Sequence, residues 1–139
     1  MNRLLFGAVL LLAACSQSPT ESDSQVRILL DGSRFSVGEP ITATIENVSN
    51  EDVVFFHCDQ HIALVLERRQ GGSWTEALRL NGPICPSVVS SGALTLSPGE
   101  AQSEQFPAKF SGEFRIRAEF GKDILRIGYV AYSSRFWVE

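Results

Sequence analysis

From Val26 onward, hydrophobic and polar residues alternate with the two-residue period of half-buried β-strands. Ile41, Ala43 and Ile45 alternate with polar side chains, and the segment 113–120 repeats the pattern. Six further segments are predicted as strands because most of them are rich in β-branched or aromatic residues. They are Val26 to Leu30, Val53 to His57, His61 to Glu67, Trp74 to Leu80, Ala101 to Phe106 and Tyr132 to Val138.

Turn signals separate these segments at intervals of about ten residues, as in all-β domains. They include Gly38-Glu39-Pro40, Asn81-Gly82-Pro83 and Ser97-Pro98-Gly99. No stretch of helical period reaches ten residues. The pattern therefore predicts an all-β fold, an antiparallel sandwich of about seven to nine strands.

Two apolar runs do not alternate, namely Val53 to Phe56 and Ile62 to Leu66. A continuous apolar run is typical of a strand that is covered on both faces. We therefore expect these two runs to form the middle of the core.

The N-terminus has the features of an export signal. A positive charge at Arg3 precedes the apolar segment Leu4 to Leu12, which is shorter than the roughly 20 residues that cross a bilayer. Leu12-Ala13-Ala14-Cys15 then resembles the lipobox of bacterial lipoproteins. The resemblance implies diacylglycerol on the Cys15 sulfur, cleavage before Cys15 and a further acyl group such as palmitate on the new amine. The alternative is an ordinary signal peptide followed by a chance cysteine.

This interpretation divides the chain into a signal peptide at 1–14, a lipidated cysteine with a flexible linker at 15–25 and an immunoglobulin-like sandwich at 26–139. Residues 16–24 contain no large apolar side chain, so they cannot bury surface and are expected to form a coil. In lipoproteins an aspartate after the cysteine favours the inner membrane. Ser16 occupies that position here, which implies a lipid-anchored envelope protein, in the outer membrane if the host has two.

Three cysteines occur in the chain, and one of them is assigned to lipid. The remaining pair, Cys58 and Cys85, is expected to form a disulfide because exported proteins fold in an oxidising compartment. The disulfide would close a loop of 28 residues. The lower entropy of the unfolded chain would then stabilise the domain by roughly 3.5 kcal/mol.

A second resemblance covers most of residues 38–120. A strand that ends at Asn47, a Gly-x-x-Trp hairpin that ends at Trp74 and a turn at Pro98-Gly99-Glu100 are similar to small bacterial immunoglobulin-like domains and to BsuPI-type intracellular proteinase inhibitors. The resemblance implies an immunoglobulin-like sandwich. The predicted anchor and disulfide are departures from an intracellular inhibitor.

Candidate chemistry is confined to one cluster, His57-Cys58-Asp59-Gln60-His61. Imidazole and thiolate are ligands for zinc or copper, but His57 and His61 lie about 13 Å apart on an extended strand, so only a turn at Asp59-Gln60 would bring them together. An oxidised Cys58 is lost as a ligand. We therefore expect no metal and no cofactor, and keep the two histidines as weak candidates.

Other function classes find little support in the sequence. It lacks a Gly-x-Ser-x-Gly elbow, a Walker loop and a His-Glu-x-x-His motif, so we expect a protein that is not an enzyme. The net charge of −4 and only two lysines argue against nucleic acid as a partner.

The sequence thus predicts a membrane-anchored lipoprotein whose single domain binds an envelope partner or acts structurally, with an unknown ligand. An alternative is proteinase inhibition through the segment 81–93, which combines prolines with the disulfide stem at Cys85. The other interpretation of this segment is a long crossover between strands.

Overall fold

The computed structural model describes residues 25–81 and 91–139. Within these ranges the chain forms two β-sheets and no helix, which confirms the predicted all-β sandwich. In the same ranges, no helix long and apolar enough to span a membrane is found. The strands are β1 (Val26–Leu30), β2 (Arg34–Phe35), β3 (Pro40–Asn47), β4 (Val53–Cys58), β5 (His61–Ile62), β6 (Leu64–Gln70), β7 (Ser73–Leu80), β8 (Ser91–Leu96), β9 (Ala101–Pro107), β10 (Gly112–Gly121), β11 (Ile127–Tyr132) and β12 (Phe136–Val138).

The smaller sheet contains three antiparallel strands in the order β1-β3-β9. The alternation predicted for residues 41–46 is confirmed, because Ile41, Ala43 and Ile45 are buried while the residues between them are half-buried. On the same inward face of this sheet, Glu104 of β9 lies opposite Ala43. A carboxylate therefore enters the space between the two sheets.

The larger sheet has nine strands and is organised around β10. This ten-residue strand pairs with four others, β4, β6, β11 and β12. The pairing of β12 with β2 is parallel, and the other pairs in the described sheets are antiparallel. Three of the twelve described strands have only two or three residues, and the nine longer ones correspond to the predicted strand number.

Phenylalanine side chains fill the interior between the sheets. Phe136 packs edge-on against Phe35 with ring centroids 5.8 Å apart and stacks on Phe114 at 5.9 Å. Toward the other end of β10, Phe120 contacts Phe55 at 6.0 Å. Rings at these separations contribute both apolar burial and favourable ring–ring geometry, so they anchor β10 in the core.

The predicted strand from His61 to Glu67 is interrupted at Ala63. The Ala63 N–H donates to Phe56 O at 3.0 Å, and beyond this point β6 pairs with β10 instead of β4. Both faces of Leu64 to Leu66 are buried as predicted. The outward Val65 lies between Arg79 and Arg117 in the cross-strand register, and aliphatic arginine stems are suited to cover such a side chain.

The prediction that both faces of the run from Val53 to Phe56 are covered is wrong at one position. Phe56 points outward and is 47% exposed. Its cross-strand neighbour on β8 is Ala93, whose methyl group is too small to cover an aromatic ring. At its last residue the outer face of the run is therefore left partly exposed to solvent.

The last predicted strand, Tyr132 to Val138, is in fact two strands, β11 and β12. Ser133 breaks the run without losing contact with β10, since its N–H donates to Ile116 O and its hydroxyl accepts from Ile116 N, both at 2.9 Å. The break lets β12 continue along the same side of β10 and return to β2.

The predicted end of a strand at Asn47 is confirmed, and the turn that follows is centred on the buried Asn47 side chain. Its Nδ2 donates to Glu51 O at 2.7 Å and to Leu96 O at 2.8 Å, while its Oδ1 accepts from the Ser49 backbone and hydroxyl. The Gly99 N–H donates to Asn47 O at 2.9 Å. One asparagine therefore joins the turns at 48–52 and 97–100 at the same end of the sandwich.

Candidate functional site

A buried carboxylate lies beneath the hairpin that β4 and β5 form. Glu104 Oε1 accepts from the Ile62 backbone N–H at 2.7 Å, and Oε2 lies 2.8 Å from His61 Nδ1. Glu104 belongs to the smaller sheet and Ile62 to the larger one. The carboxylate therefore connects the two layers through polar contacts in a largely apolar interior.

Two side-chain amides complete the surroundings of this carboxylate. Asn81 Nδ2 donates to Glu104 Oε2 at 3.0 Å, and Gln102 Nε2 donates to Oε1 at 2.6 Å. A carboxylate offers about four lone-pair positions, and here four nitrogen atoms approach them. We conclude that Glu104 acts as a structural clamp, because nitrogen atoms from both sheets and from Asn81 surround its two oxygens.

The imidazole of His61 is held at its Nδ1 while most of the ring is exposed. Its side chain is 61% exposed although that of Glu104 is 1% exposed. A carboxylate that binds one ring nitrogen orients the ring and directs the other nitrogen outward, as second-shell carboxylates do for metal-binding histidines. Among the described residues, no group of three His, Cys, Asp or Glu side chains is positioned to hold a metal ion.

The two candidate histidines do not converge. Asp59 and Gln60 both have positive φ, at 49° and 69°, the conformation of a type I′ hairpin turn. The turn at these residues forms, but it pairs Cys58 with His61 and His57 with Ile62. Residues that lie opposite each other share a face of the sheet, so the backbone places His57 and His61 on opposite faces of the hairpin, although the His61 imidazole still reaches Glu104 between the sheets. The register therefore gives no support to a site built from both histidines.

His57 has a local role in the same hairpin. Its Nδ1 accepts from the Gln60 N–H at 3.3 Å. A side chain added at Gly92 would meet His57 Nε2 at 3.3 Å, and Gly92 is the cross-strand partner of His57 on β8. The imidazole is thus enclosed by its own turn and the neighbouring strand.

The segment 81–93 is partly described. Residues 82–90, with Cys85, lie outside the described residues, whereas Ser91 to Ala93 belong to β8 and pair with β4. The loop prediction is therefore wrong for 91–93, because these residues continue the antiparallel ladder opposite Cys58, His57 and Phe56. The signal peptide, Cys15 and the linker up to residue 24 also lie outside the described residues.

The outer face of the larger sheet carries an aromatic–arginine cluster, by which we mean Trp74, Arg115 and Tyr132. The guanidinium carbon of Arg115 lies 4.6 Å from the Trp74 ring centroid and 3.9 Å from that of Tyr132. These residues come from β7, β10 and β11. A guanidinium between two ring faces gains cation–π attraction from both, so the three side chains support one another in a fixed arrangement.

A buried glutamate fixes the cluster from below. Arg115 Nε donates to Glu67 Oε2 at 2.7 Å, and Arg117 Nε lies 3.0 Å from Glu67 Oε1. Arg117 also forms an ion pair with Glu119. Two guanidinium groups shared by one carboxylate form a network, and networks of this kind hold side chains better than isolated surface pairs.

Sequence reasoning placed the alternating residues of segment 113–120 on strands but missed both the cluster and the role of Glu104. A local signal for Glu104 exists, because it lies two residues before the buried Phe106 and therefore shares its inward face. No comparable signal exists for the cluster. Trp74, Arg115 and Tyr132 meet only through strand pairing across 41 and 17 residues of sequence.

Comparison with known proteins gives similarity of structure without similarity of sequence. No protein-family profile and no curated protein sequence matches the chain. Similar solved structures include the alkylpurine DNA glycosylase AlkC of Pseudomonas fluorescens (12% identity, TM-score 0.45), the sporulation control protein Spo0M of Bacillus subtilis (14%, 0.48) and the β-glucosidase EmGH1 of Erythrobacter marinus (14%, 0.39).

These matches cover 83%, 83% and 81% of this chain but only 30%, 49% and 15% of the respective proteins. This chain therefore spans less than half the length of each of them. Identities and scores this low transfer neither ligand nor reaction.

Proposed function

We propose that this protein is a bacterial lipoprotein whose single immunoglobulin-like sandwich binds an envelope partner or serves a structural role at the membrane. One observation carries the proposal. The lipobox-like sequence that ends at Cys15 is followed by nine polar or small residues, and Gln25 then joins the sandwich by accepting from the Val48 N–H at 2.9 Å. A short spacer between an anchor and a folded domain is the arrangement expected of a tethered module.

The anchor is tested by metabolic labelling with palmitate in a bacterial host. The full chain is expected to incorporate label and to fractionate with membranes, whereas Cys15→Ser should do neither. Ser16→Ala is the matched control and should behave as the unaltered chain. Absence of label from the unaltered chain would refute the lipoprotein assignment.

The residue after the anchor gives a test of localisation. In a host with two membranes we expect the unaltered chain in the outer membrane, and Ser16→Asp should move it to the inner one. Membrane separation on a density gradient measures the distribution. An unaltered chain found in the inner membrane would contradict the outer-membrane proposal while leaving the anchor intact.

The proposed Cys58–Cys85 disulfide is supported by where the chain enters and leaves segment 82–90. Asn81 donates to Ile62 O at 3.3 Å, and Ser91 lies opposite Cys58 in the β4–β8 ladder. Both ends therefore lie at the β4–β5 hairpin. Cys85 is four residues from Asn81 and six from Ser91, so an extended chain of about 15 to 20 Å connects it to either end. Thiol labelling of the lipidated protein should need a reductant, and two thiols reactive without one would contradict the pairing.

For the binding role, we place the contact with an envelope protein on the aromatic–arginine cluster. Trp, Tyr and Arg are the residue types that dominate binding energy at protein interfaces, and their mutual packing here reduces the side-chain entropy lost on binding. A photoreactive residue at Tyr132 should give defined cross-linked products in cells. The same probe at Ser103, on the outer face of the smaller sheet, should give none, and equal labelling at both positions would contradict the assignment.

Proteinase inhibition is the second candidate, now limited to residues 81–90 of the predicted segment and favoured by the position of Asn81 and Ser91 at the same hairpin. A stoichiometric excess of the protein should then slow serine proteases, and changes at Ile84 or Val88 should abolish the effect. If no protease in a broad panel is slowed, this alternative falls.

A further inference from the structure

One end of the sandwich is defined by where the N-terminal tether joins it. Val26 pairs with Asn47 at the end of β3, and Gln25 bonds to Val48. The turn 97–100 is held to the same place through Asn47. On the larger sheet Lys122 forms an ion pair with Glu51 at 2.9 Å, so the loop 122–126 between β10 and β11 also belongs to this end. We call it the tether end.

The tether end presents an exposed leucine on an ordered loop. Leu125 is 92% exposed, yet its N–H donates to Asp123 Oδ1 at 2.9 Å and the following N–H of Arg126 donates to Asp123 O at 3.0 Å. At the base of the loop Gly121 approaches Arg126 so closely that a Cβ would lie 2.0 Å from the carbonyl oxygen. The exposure of Leu125 is therefore built into the turn.

Other residues around Leu125 have the character of an interfacial surface. Val48 and Tyr129 are exposed apolar or amphipathic side chains at this end, and more than half of each side chain of Lys122 and Arg126, in the loop itself, is exposed. Leucine, tyrosine and long basic side chains are the residues that occupy the boundary between water and lipid, where apolar parts enter and charged ends stay hydrated.

The charges of the tether end indicate which kind of lipid surface fits. Glu51 pairs with Lys122 and Asp123 pairs with Arg126 at 3.1 Å, while Asp52 and Glu100 add further negative charge. A net acidic end gains nothing from anionic lipids. The contact must therefore rest on apolar insertion into a surface of zwitterionic headgroups.

The length of the tether brings this end to the bilayer. Nine residues separate Cys15 from Gln25, and the coil expected from their composition would have a reach on the order of 15 to 20 Å. The ten residues of β10 place the opposite end of the sandwich about 30 Å farther away. Because the anchor holds the domain at a high effective concentration beside the lipid, even a small contact can fix its orientation.

We propose that the loop 122–126 inserts Leu125 into the zwitterionic lipid surface to which Cys15 anchors the chain, so that the sandwich stands with its tether end on the membrane. This inference rests on the proposed lipoprotein function. It leaves the aromatic–arginine cluster on the side of the domain, where a partner in the same membrane can reach it.

The test uses the lipidated full chain in vesicles of phosphatidylethanolamine and phosphatidylcholine with a trace of headgroup spin label, observed by NMR. Amide signals of Val48 and Leu125 should broaden severalfold more than that of Phe110, an exposed residue at the opposite end. Leu125→Asp should remove the difference. Phe110→Asp is the matched control and should preserve it.

The outcomes separate the two proposals. If the unaltered protein does not float with the vesicles, the anchor fails and this inference falls with it. If the protein floats but broadening is uniform over the domain, or is unchanged in Leu125→Asp, the anchor stands and the proposed orientation is wrong. Broadening that appears only when anionic lipid is added would also overturn the apolar contact.

Discussion

His61 Nδ1 lies 2.8 Å from Glu104 Oε2, and this contact joins a mostly exposed imidazole of one sheet to a fully buried carboxylate of the other. Burial of a carboxylate is costly unless hydrogen bonds replace its hydration. Ile62, Asn81 and Gln102 supply such bonds. The position of the β4–β5 hairpin above the core therefore depends on one side chain of β9.

Replacing this carboxylate by an amide should destabilise the domain. Glu104→Gln brings an NH₂ group toward donors that require an acceptor, and we expect a loss of about 2 to 3 kcal/mol in the free energy of unfolding. Denaturant titration measures it. Glu46→Gln, which removes a surface ion pair with Arg27 on the same sheet, is the control and should cost less than about 1 kcal/mol. Equal losses would contradict the clamp.

The cation–π arrangement predicts that charge alone cannot replace Arg115. Arg115→Lys keeps the positive charge but loses the planar group that lies between Trp74 and Tyr132. We expect a loss of about 1 to 2 kcal/mol in unfolding free energy and a changed environment of Trp74 in its fluorescence. Arg79→Lys, at an exposed pair with Glu76, should leave both nearly unchanged. If Arg115→Lys leaves the unfolding free energy unchanged, the contacts of Arg115 with the two rings do not stabilise the fold.

The close approach at Gly121 predicts an intolerance to any side chain. Gly121→Ala would place a methyl carbon against Arg126 O, and we expect the β10–β11 connection to shift at a cost of about 1 to 3 kcal/mol or more. Gly128→Ala is a matched control on the facing strand, because nothing lies within 4 Å of a Cβ there. Thermal unfolding of the two variants measures the contrast, and similar midpoints would argue against the packing described.

The ion pair with Glu51 should determine how far the pKa of Lys122 is raised. Its hydrogen bond and then its negative charge raise the pKa of Lys122 above the usual value of 10.5. A raised pKa in the folded state stabilises the fold at pH values below about 10.5, and this contribution is lost as the pH rises through the folded value. In Glu51→Gln the pKa of Lys122 should fall toward 10.5, as followed by NMR of the side chain. A pKa that does not move would exclude the pair as its cause.

Much of the fold was predictable because strand burial is a local property. Residues 41–46 and 113–120 reveal their inward faces by alternation alone. The predictions of burial and of strand boundaries were wrong where contacts with neighbouring strands decide them. Phe56 is exposed because Ala93 lies opposite, and the last strand is divided because Ser133 bonds to Ile116 in place of a regular ladder.

The sequence alone determined the all-β class, most of the strands and the end of a strand at Asn47. The tertiary structure decided that the β4–β5 turn pairs Cys58 with His61 and His57 with Ile62, that Glu104 lies between the sheets and that Arg115 lies between two aromatic rings. The physical reason is the difference between local sequence pattern and contacts between distant segments. Alternation reflects burial of each residue in turn, whereas these contacts depend on which distant strands pair and in which register.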